Sequence, residues 1–411
     1  MTVRSTRSTV LFISQVYVPD PAAVGQHLAG AAAELARRGH RVIVFTSARG
    51  YYDPALRYSS REARDGVEIR RFAVGGFGKR SIALRILAGL LFLGQAVVHG
   101  MLLRRLDTVV VTTSPPMAAI AALIIGVRRR IRVKYWIMDL NPDQAVALGV
   151  ATPGALTVRA MNWLNRRILR RADDVVVLDR FMAERVAGKW PDVRAKLTVV
   201  PPWPLESVSD PLPPEDNEFR HRHGLDGKFV VMYSGNHSPA NPLHTLLTAA
   251  ERLEDDPDIV FLFVGGGAGK REVEASRAAG VRSLPYQPLS MLRESLSAGD
   301  VHVVTIGDGM VGIVHPCKVY GAMAVARPVL MFGPPENHVA DILCHDGVGT
   351  QVAHGDVDGA VRAIQDLKRM SRSELEEMGR RAQHVITTRL SRETLTRAVC
   401  DLLEREGRRL R

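Results

Sequence analysis

Residues 9–47, TVLFISQVYVPDPAAVGQHLAGAAAELARRGHRVIVFTS, decide the fold class. Thr9 to Ser14 is a short apolar run that predicts a strand, Gly25 to Arg38 carries apolar residues at helical spacing, and Arg41 to Thr46 is strand-like again. Strand, helix and strand in so short a span make a βαβ unit, and strands that do not alternate in polarity predict a parallel sheet buried on both faces. The rhythm continues through strands expected at Val67 to Phe72, Thr108 to Thr112, Arg132 to Ile137, Asp174 to Leu178 and Leu197 to Val200, with helices between most of them, Ala155 to Arg171 included. Pro201-Pro202-Trp203-Pro204 then stops it, and the proline- and acid-rich run to Glu218 reads as a linker. A second series starts at Phe229 to Tyr233 and recurs at Val260 to Val264, Val281 to Leu284, His302 to Thr305, Pro328 to Phe332 and Thr350 to Val352. The expected architecture is α/β: two doubly wound domains, with ligands in a cleft facing the carboxyl ends of the strands.

Composition agrees with this. The 411 residues suit two domains of roughly 200 each. A content of 46% hydrophobic and 24% charged residues excludes a disordered chain. Cys317, Cys344 and Cys400 are odd in number and lack CxxC spacing, which argues against a disulfide framework or a zinc site and for a reducing cytosol. Val10 to Ile13 is too short for the apolar core of a signal peptide.

Charge is unevenly shared. Residues 1–200 hold 31 Lys and Arg against 14 Asp and Glu, whereas residues 201–411 hold 24 against 29. A basic first half points to an anionic surface, nucleic acid or the cytoplasmic leaflet, although a genome-wide arginine bias gives the same count. The segment Ile82 to Leu103 is apolar except for Arg85, Gln95 and His99 and is flanked by Lys79-Arg80 and Arg104-Arg105. Its uninterrupted run falls short of the roughly 18–20 residues that span a bilayer, so it reads either as an interfacial helix on an anionic membrane or as a helix packed on its own sheet. Each basic residue near such a membrane contributes about 1 kcal/mol. Nucleic acid is not expected, because the clusters at Arg128 to Arg132 and Arg166 to Arg171 lack the interleaved aromatics of a base-stacking surface.

Four motifs carry chemistry. In GIVHPCKVYGAMAVARPVL, residues 312–330, a Pro-Cys-Lys step opens an alanine-rich helix, so Lys318 and unpaired backbone N–H groups face the same way, which suits a phosphate. A buried helix with a solvated lysine is the plainer reading. Gly25 and Gly235 follow the first strand of each domain, where a missing side chain lets a ligand approach the backbone or merely permits a turn. Neither lies in GxGxxG, so a dinucleotide is not indicated. FLFVGGGAGKREVE supplies Gly265, Gly266 and Lys270, either a ligand loop or a surface turn. KYWIMDLNPDQAVALG places Asp139 at the carboxyl end of a strand and Asp143 before a short helix, where each can orient an acceptor hydroxyl or cap the helix.

These motifs in combination, RRGHRVIVFTS, VVVTTSPPMAAIAAL, DLNPDQAVALG, VVMYSGN, GIVHPCKVYGAMAVARPVLMFGPP and HGDVDGAVRAI, resemble the retaining nucleotide-sugar glycosyltransferases of family 4, and especially the branch that builds bacterial O-antigen and exopolysaccharide. The resemblance implies a GT-B fold: an acceptor-binding domain over 1–204, a linker over 205–227, a nucleotide-sugar-binding domain over 228–390 and a C-terminal helix in 391–411 that can pack back on the first domain. It implies a donor, most readily a UDP-sugar, with Gly25 and Gln26 near its sugar and diphosphate and Asn236, Lys318 and Val319 on the diphosphate; Gly235, Gly265, Gly266, Lys270, His315, Tyr320 and Glu336 are the further donor-binding candidates. Asp139 and Lys318 become the catalytic pair, and Asp143 an acceptor contact. The implied acceptor is a glycan or a lipid-linked sugar at the inner face of the cell membrane.

The chain also departs from the family. Ile313 and Gly321 stand where two glutamates are usual, Glu336 being a candidate replacement; Asn236 and the SPANP stretch offer no cation; and Met138 replaces a histidine before Asp139. Lys318, with His315, then carries more of the leaving group's charge. N–H groups and one cation suffice for a departing diphosphate, so no metal or other cofactor is expected. Two competing readings are a sugar-nucleotide epimerase on the same fold and a catalytically silent binding or scaffold protein.

Overall fold

The computed structural model describes residues 8–50, 53, 55–73, 82–205 and 210–406, and within 82–86 the backbone alone. Lys79 and Arg80 lie outside the described residues. The chain divides into two compact units, residues 1–202 with 393–411, and residues 203–392.

Among the described residues unit 1 holds eight strands, β1 (Thr9–Ile13), β2 (Arg41–Ser47), β3 (Arg61–Arg64), β4 (Val67–Phe72), β5 (Thr108–Thr112), β6 (Arg132–Trp136), β7 (Asp174–Val177) and β8 (Leu197–Val199), in the spatial order β3-β4-β2-β1-β5-β6-β7-β8. Its helices are α1 (Ala23–Arg37), α2 (Ile82–Leu102), α3 (Ala119–Arg129), α4 (Asp143–Ala147), α5 (Leu156–Arg171) and α6 (Arg180–Lys189). Leu11, Phe12 and Ile13 pair in register with Ile43, Val44 and Phe45, and all six are inaccessible to solvent, as a parallel sheet covered on both faces requires. The sheet is not wholly parallel. Strand β3 runs antiparallel to β4, and its REAR sequence escapes a search for apolar strands because it is a charged edge, of the kind that blunts edge-to-edge association.

Unit 2 begins with the short helix α7 (Glu218–Arg222) and continues with β9 (Phe229–Asn236), α8 (His244–Arg252), β10 (Ile259–Gly266), α9 (Lys270–Ala275), β11 (Val281–Leu284), α10 (Leu292–Ser297) and β12 (Val301–Thr305). It is completed by α11 (Lys318–Ala324), β13 (Val329–Phe332), α12 (His338–Asp346), β14 (Gly349–Val352), α13 (Val357–Arg369) and α14 (Arg372–Thr387). The six strands among its described residues are parallel, in the order β11-β10-β9-β12-β13-β14. Tyr233, Phe261, Phe263, Val303 and Leu330 centre the core on one face.

The opposite face corrects the expected linker. Phe219 and Leu225 are fully buried against Val230, Met232, Val260 and Leu262, so residues expected within the linker close the second core. Asn217 caps α7 by accepting from Phe219 N, and its amide donates to Glu294 O at 2.9 Å. Buried Arg220 donates to the carbonyls of Ala298, Leu225 and Lys228 and pairs with Asp300 at 3.2 Å. Proline-rich composition concealed a short capped helix whose two apolar side chains do the anchoring.

The last helix, α15 (Arg392–Glu404), belongs with unit 1. Arg38 donates to Asp401 and Glu404 at 2.6 and 2.9 Å, and His40 meets Glu404 at 2.9 Å. Lys134, buried in β6 and paired with Asp174, donates to the carbonyls of Leu402 and Arg405. A strand lysine is tolerated there because the end of this helix supplies its acceptors.

Candidate functional site

In unit 2 the chain winds from β9 outward to β11 and then returns to β12 on the other side of β9, so the topological switch lies between β9 and β12. Open α/β sheets bind ligands at the carboxyl ends of such neighbours. Three glycines shape that edge. Gly235, Gly265 and Gly267 have φ of +124°, +135° and +131°, a region closed to most side chains. A Cβ on Gly265 would strike the carbonyl oxygen of Gly235, and one on Gly267 would strike the side chain of Asn236, so the ends of β9 and β10 meet backbone to backbone. Gly266 pairs with Asn236 in the same register.

Lys318 opens α11 and crosses this edge. Its Nζ lies 5.1 Å from the centre of the Tyr233 ring. Oriented to satisfy both neighbours, the Asn241 amide donates to Thr305 O at 2.9 Å and accepts from Lys318 Nζ at 3.2 Å. Among the described residues no carboxylate pairs with this ammonium. Desolvation therefore has little to oppose it, and the Lys318 pKa is pushed down to about 8. A desolvated cation without a carboxylate partner, beside glycine backbone, has the chemistry that suits an anion.

The remaining donor-side residues fall into separate groups. The Tyr320 hydroxyl, buried with its ring, contacts His315 Nε2 at 2.8 Å and His338 Nε2 at 3.1 Å, and the two imidazole centres stand 4.5 Å apart. The hydroxyl thus links the segment before α11 to the first residue of α12. Val319 is fully buried, which leaves only its backbone to offer a ligand. Lys270 donates to the carbonyls of Gly265 and Leu284 at 3.2 and 3.4 Å and stands 3.7 Å from Glu274, fastening the ends of β10 and β11. Glu336 is exposed, while its neighbour Asn337 caps α12.

In unit 1, Gly25 packs on the backbone of Tyr17, where an added Cβ would lie 3.0 Å from Tyr17 Cα. Gln26 donates its amide to Pro21 O at 2.9 Å. Asp139 follows β6 at the carboxyl edge of the first sheet, and its N–H donates to Thr113 Oγ1 at 3.1 Å. Asp143 is the first residue of α4 and forms an ion pair with Lys189 at 2.8 Å, so it is neither the helix cap nor an unpaired carboxylate. No group of three or more His, Cys, Asp or Glu arranged to hold a metal occurs among the described residues.

Residues 22–203 match the family described as glycosyl transferase 4-like domain, and residues 215–385 match glycosyl transferases group 1. The chain is a glycosyltransferase. The Pseudomonas aeruginosa protein named "Probable glycosyltransferase WbjE" is 26% identical over 276 residues, 66% of this chain and 68% of that one. A protein of Escherichia coli (strain K12) named as a colanic acid biosynthesis glycosyl transferase, WcaI, is 29% identical over 47% of this chain and 49% of its own. The Anabaena protein HepE, solved in complex with UDP and glucose, superposes with a TM-score of 0.69 at 16% identity, covering 97% of this chain and 99% of its own. That likeness establishes the glycosyltransferase as a GT-B fold.

Three features of the glycosyltransferase escaped sequence reasoning. Tyr233 and Asn241, which frame the Lys318 ammonium, read as strand core and loop. His338 reads as an ordinary residue beside Asn337. Thr113 sits in VVVTTSPP, a motif recognised as a whole without singling out the hydroxyl that receives Asp139.

Proposed function

We propose that this glycosyltransferase transfers a sugar from a UDP-sugar to a glycan or lipid-linked acceptor at the inner face of the cell membrane, with retention of configuration. The observation that carries the reading is the Lys318 ammonium over the end of β9, beside Gly235 and with no carboxylate partner among the described residues. The donor's diphosphate is the anion it receives. HepE, of the same fold, is described with UDP and with glucose, and the names of WbjE and WcaI place relatives among glycosyltransferases, the latter in colanic acid synthesis.

In the reaction, the bond from the anomeric carbon to the β-phosphate oxygen breaks, and its electron pair leaves with the nucleoside diphosphate. An acceptor oxygen forms the new bond on the same face. The acceptor proton passes to the departing phosphate oxygen, so no separate base is needed. Lys318 stabilises the charge that grows on that oxygen, more strongly in the transition state than in the bound donor. Asp139, its backbone fixed by Thr113, orients the acceptor hydroxyl. No metal enters this scheme.

A panel of UDP, GDP, TDP and ADP in a thermal-shift assay tests the donor. A ligand at a hundred times its dissociation constant adds about 2.7 kcal/mol, which moves the melting temperature by several degrees. A shift with UDP that is lost in Lys318→Ala supports the reading, and no shift with any of the four defeats it. Anomeric configuration of the product, read by proton NMR, tests retention.

A further inference from the structure

Helices α2, α3 and α5 pack side by side, α3 touching both of the others. Not one of the three contains an aspartate or a glutamate. Helix α2 is apolar on both sides. Phe92, Leu93 and Ala96 are buried in the unit, whereas Leu87, Leu90, Leu91, Val98, Met101 and Leu102 recur at helical spacing and face solvent, Leu102 at 74% exposure. Ile124 and Val127 add exposed apolar surface on the neighbouring α3, and Trp163 does so on α5. Single exposed leucines are ordinary; a stripe that runs the length of a helix and continues onto its neighbour is not.

Arginine borders this surface. Arg104 and Arg105 follow α2, Arg128 and Arg130 end α3, and Arg166 and Arg170 lie on α5; all six are exposed, and among the described residues none has an acidic partner. Other arginines lock the layer: Arg129 donates to the carbonyls of Gly100 and Leu103, and Arg171 to those of Gly126 and Ile131. The three helices are therefore firmly joined, apolar along one of them, basic at their ends and free of aspartate and glutamate within their own spans.

We propose that the outer face of α2, α3 and α5 docks on an anionic lipid bilayer, with the α2 stripe entering the interface and the arginines meeting headgroup phosphates. No helix of the described residues is long and apolar enough to cross a membrane, which accords with a surface that lies on the bilayer. A second copy of the chain would bring like charge against like. A nucleic acid would satisfy the arginines and leave the leucines in water. The inference rests on the proposed function only for which leaflet is met, and a binding assay without turnover keeps the two distinguishable.

Flotation of the full chain with vesicles of phosphatidylcholine alone, and with phosphatidylglycerol added, tests it. Binding to the anionic vesicles at low salt, falling roughly tenfold or more at high salt, is expected. Leu91→Glu with Leu102→Glu abolishes it, while a cooperative thermal melt close to that of the wild type shows the variant folded. Arg104→Ala and Arg105→Ala each weaken it by roughly fivefold. The proposal is overturned by absence of binding at low salt, by equal binding to neutral vesicles, or by full binding of the double glutamate variant. Self-association through this face, detected by sedimentation and lost in the double variant, would overturn it in favour of a dimer interface.

Discussion

Lys318 occupies the space that a side chain on residue 235 would fill: a Cβ built on Gly235 comes within 2.9 Å of Lys318 Cε. With φ of +124° at the same residue, Gly235→Ala is disfavoured twice, by backbone strain and by collision with the cation. Strain of this kind costs about 1–3 kcal/mol. The variant is expected to melt several degrees lower and to bind UDP about tenfold more weakly, a factor equal to about 1.4 kcal/mol. Calorimetry reads both, and unchanged affinity would show that the lysine does not meet the nucleotide.

The depressed pKa of Lys318 has a definite sign. Below pH 8 both the folded and unfolded chains hold the proton, and the fold bears the whole cost of the buried charge. Between about 8 and the ordinary 10.5 the unfolded chain retains a proton that the fold has released, so stability rises with pH. Relative to Lys318→Met, the ligand-free wild type should gain stability across that window. UDP affinity should move the opposite way, falling by up to about tenfold per pH unit above 8 as the ammonium is lost. Lys318→Arg stays charged and should bind UDP with little pH dependence over the same range.

Asn241 holds the ammonium without neutralising it. Asn241→Asp would place a carboxylate within hydrogen-bond reach, raise the lysine pKa and compete with the diphosphate. The expected protein is less active, with the pH midpoint of UDP binding displaced upward, while the lost N–H donor to Thr305 O offsets the stability gained from the ion pair. Thermal melts beside titration calorimetry check the two halves separately.

Tyr320→Phe keeps the ring and removes the hydroxyl that joins His315 to His338. A net loss of about 1 kcal/mol in stability is expected from the missing hydrogen bonds. If the imidazoles orient the donor, KM for the donor rises while kcat changes little. Steady-state kinetics separate this from a purely structural role, which would leave KM alone.

Arg220→Met should be among the most damaging changes in unit 2, because it abandons three carbonyls and leaves Asp300 partly buried without its ion partner. A loss of about 3–5 kcal/mol is expected, measured by urea unfolding. A small effect would mean that residues 217–225 do not anchor the unit as described.

The strands were legible because a parallel sheet covered on both faces writes itself as uninterrupted apolar runs, as in TVLFI and RVIVFTS. β3 was not, since an edge strand needs no apolar face. The stretch 217–225 reads as linker because composition registers prolines and acids, while anchoring depends on Phe219, Leu225 and one capping asparagine. At the site, Lys318 stood out by its place at a helix start. Tyr233 and Asn241 could not, because their proximity to it arises only when β9 and the loop after it are brought beside α11. Asp143 reads as a carboxylate in a suggestive position, yet its partner Lys189 lies a helix away and nothing local announces the pair.

The return of α15 to unit 1 has a consequence for biosynthesis. As the polypeptide leaves the ribosome, Arg38, His40 and Lys134 emerge long before Asp401, Glu404 and the carbonyls of Leu402 and Arg405 that satisfy them. Residues 203–392 are by then already outside and can close their own core. Vectorial folding in this enzyme thus inverts the usual order: the body that is started first is finished last.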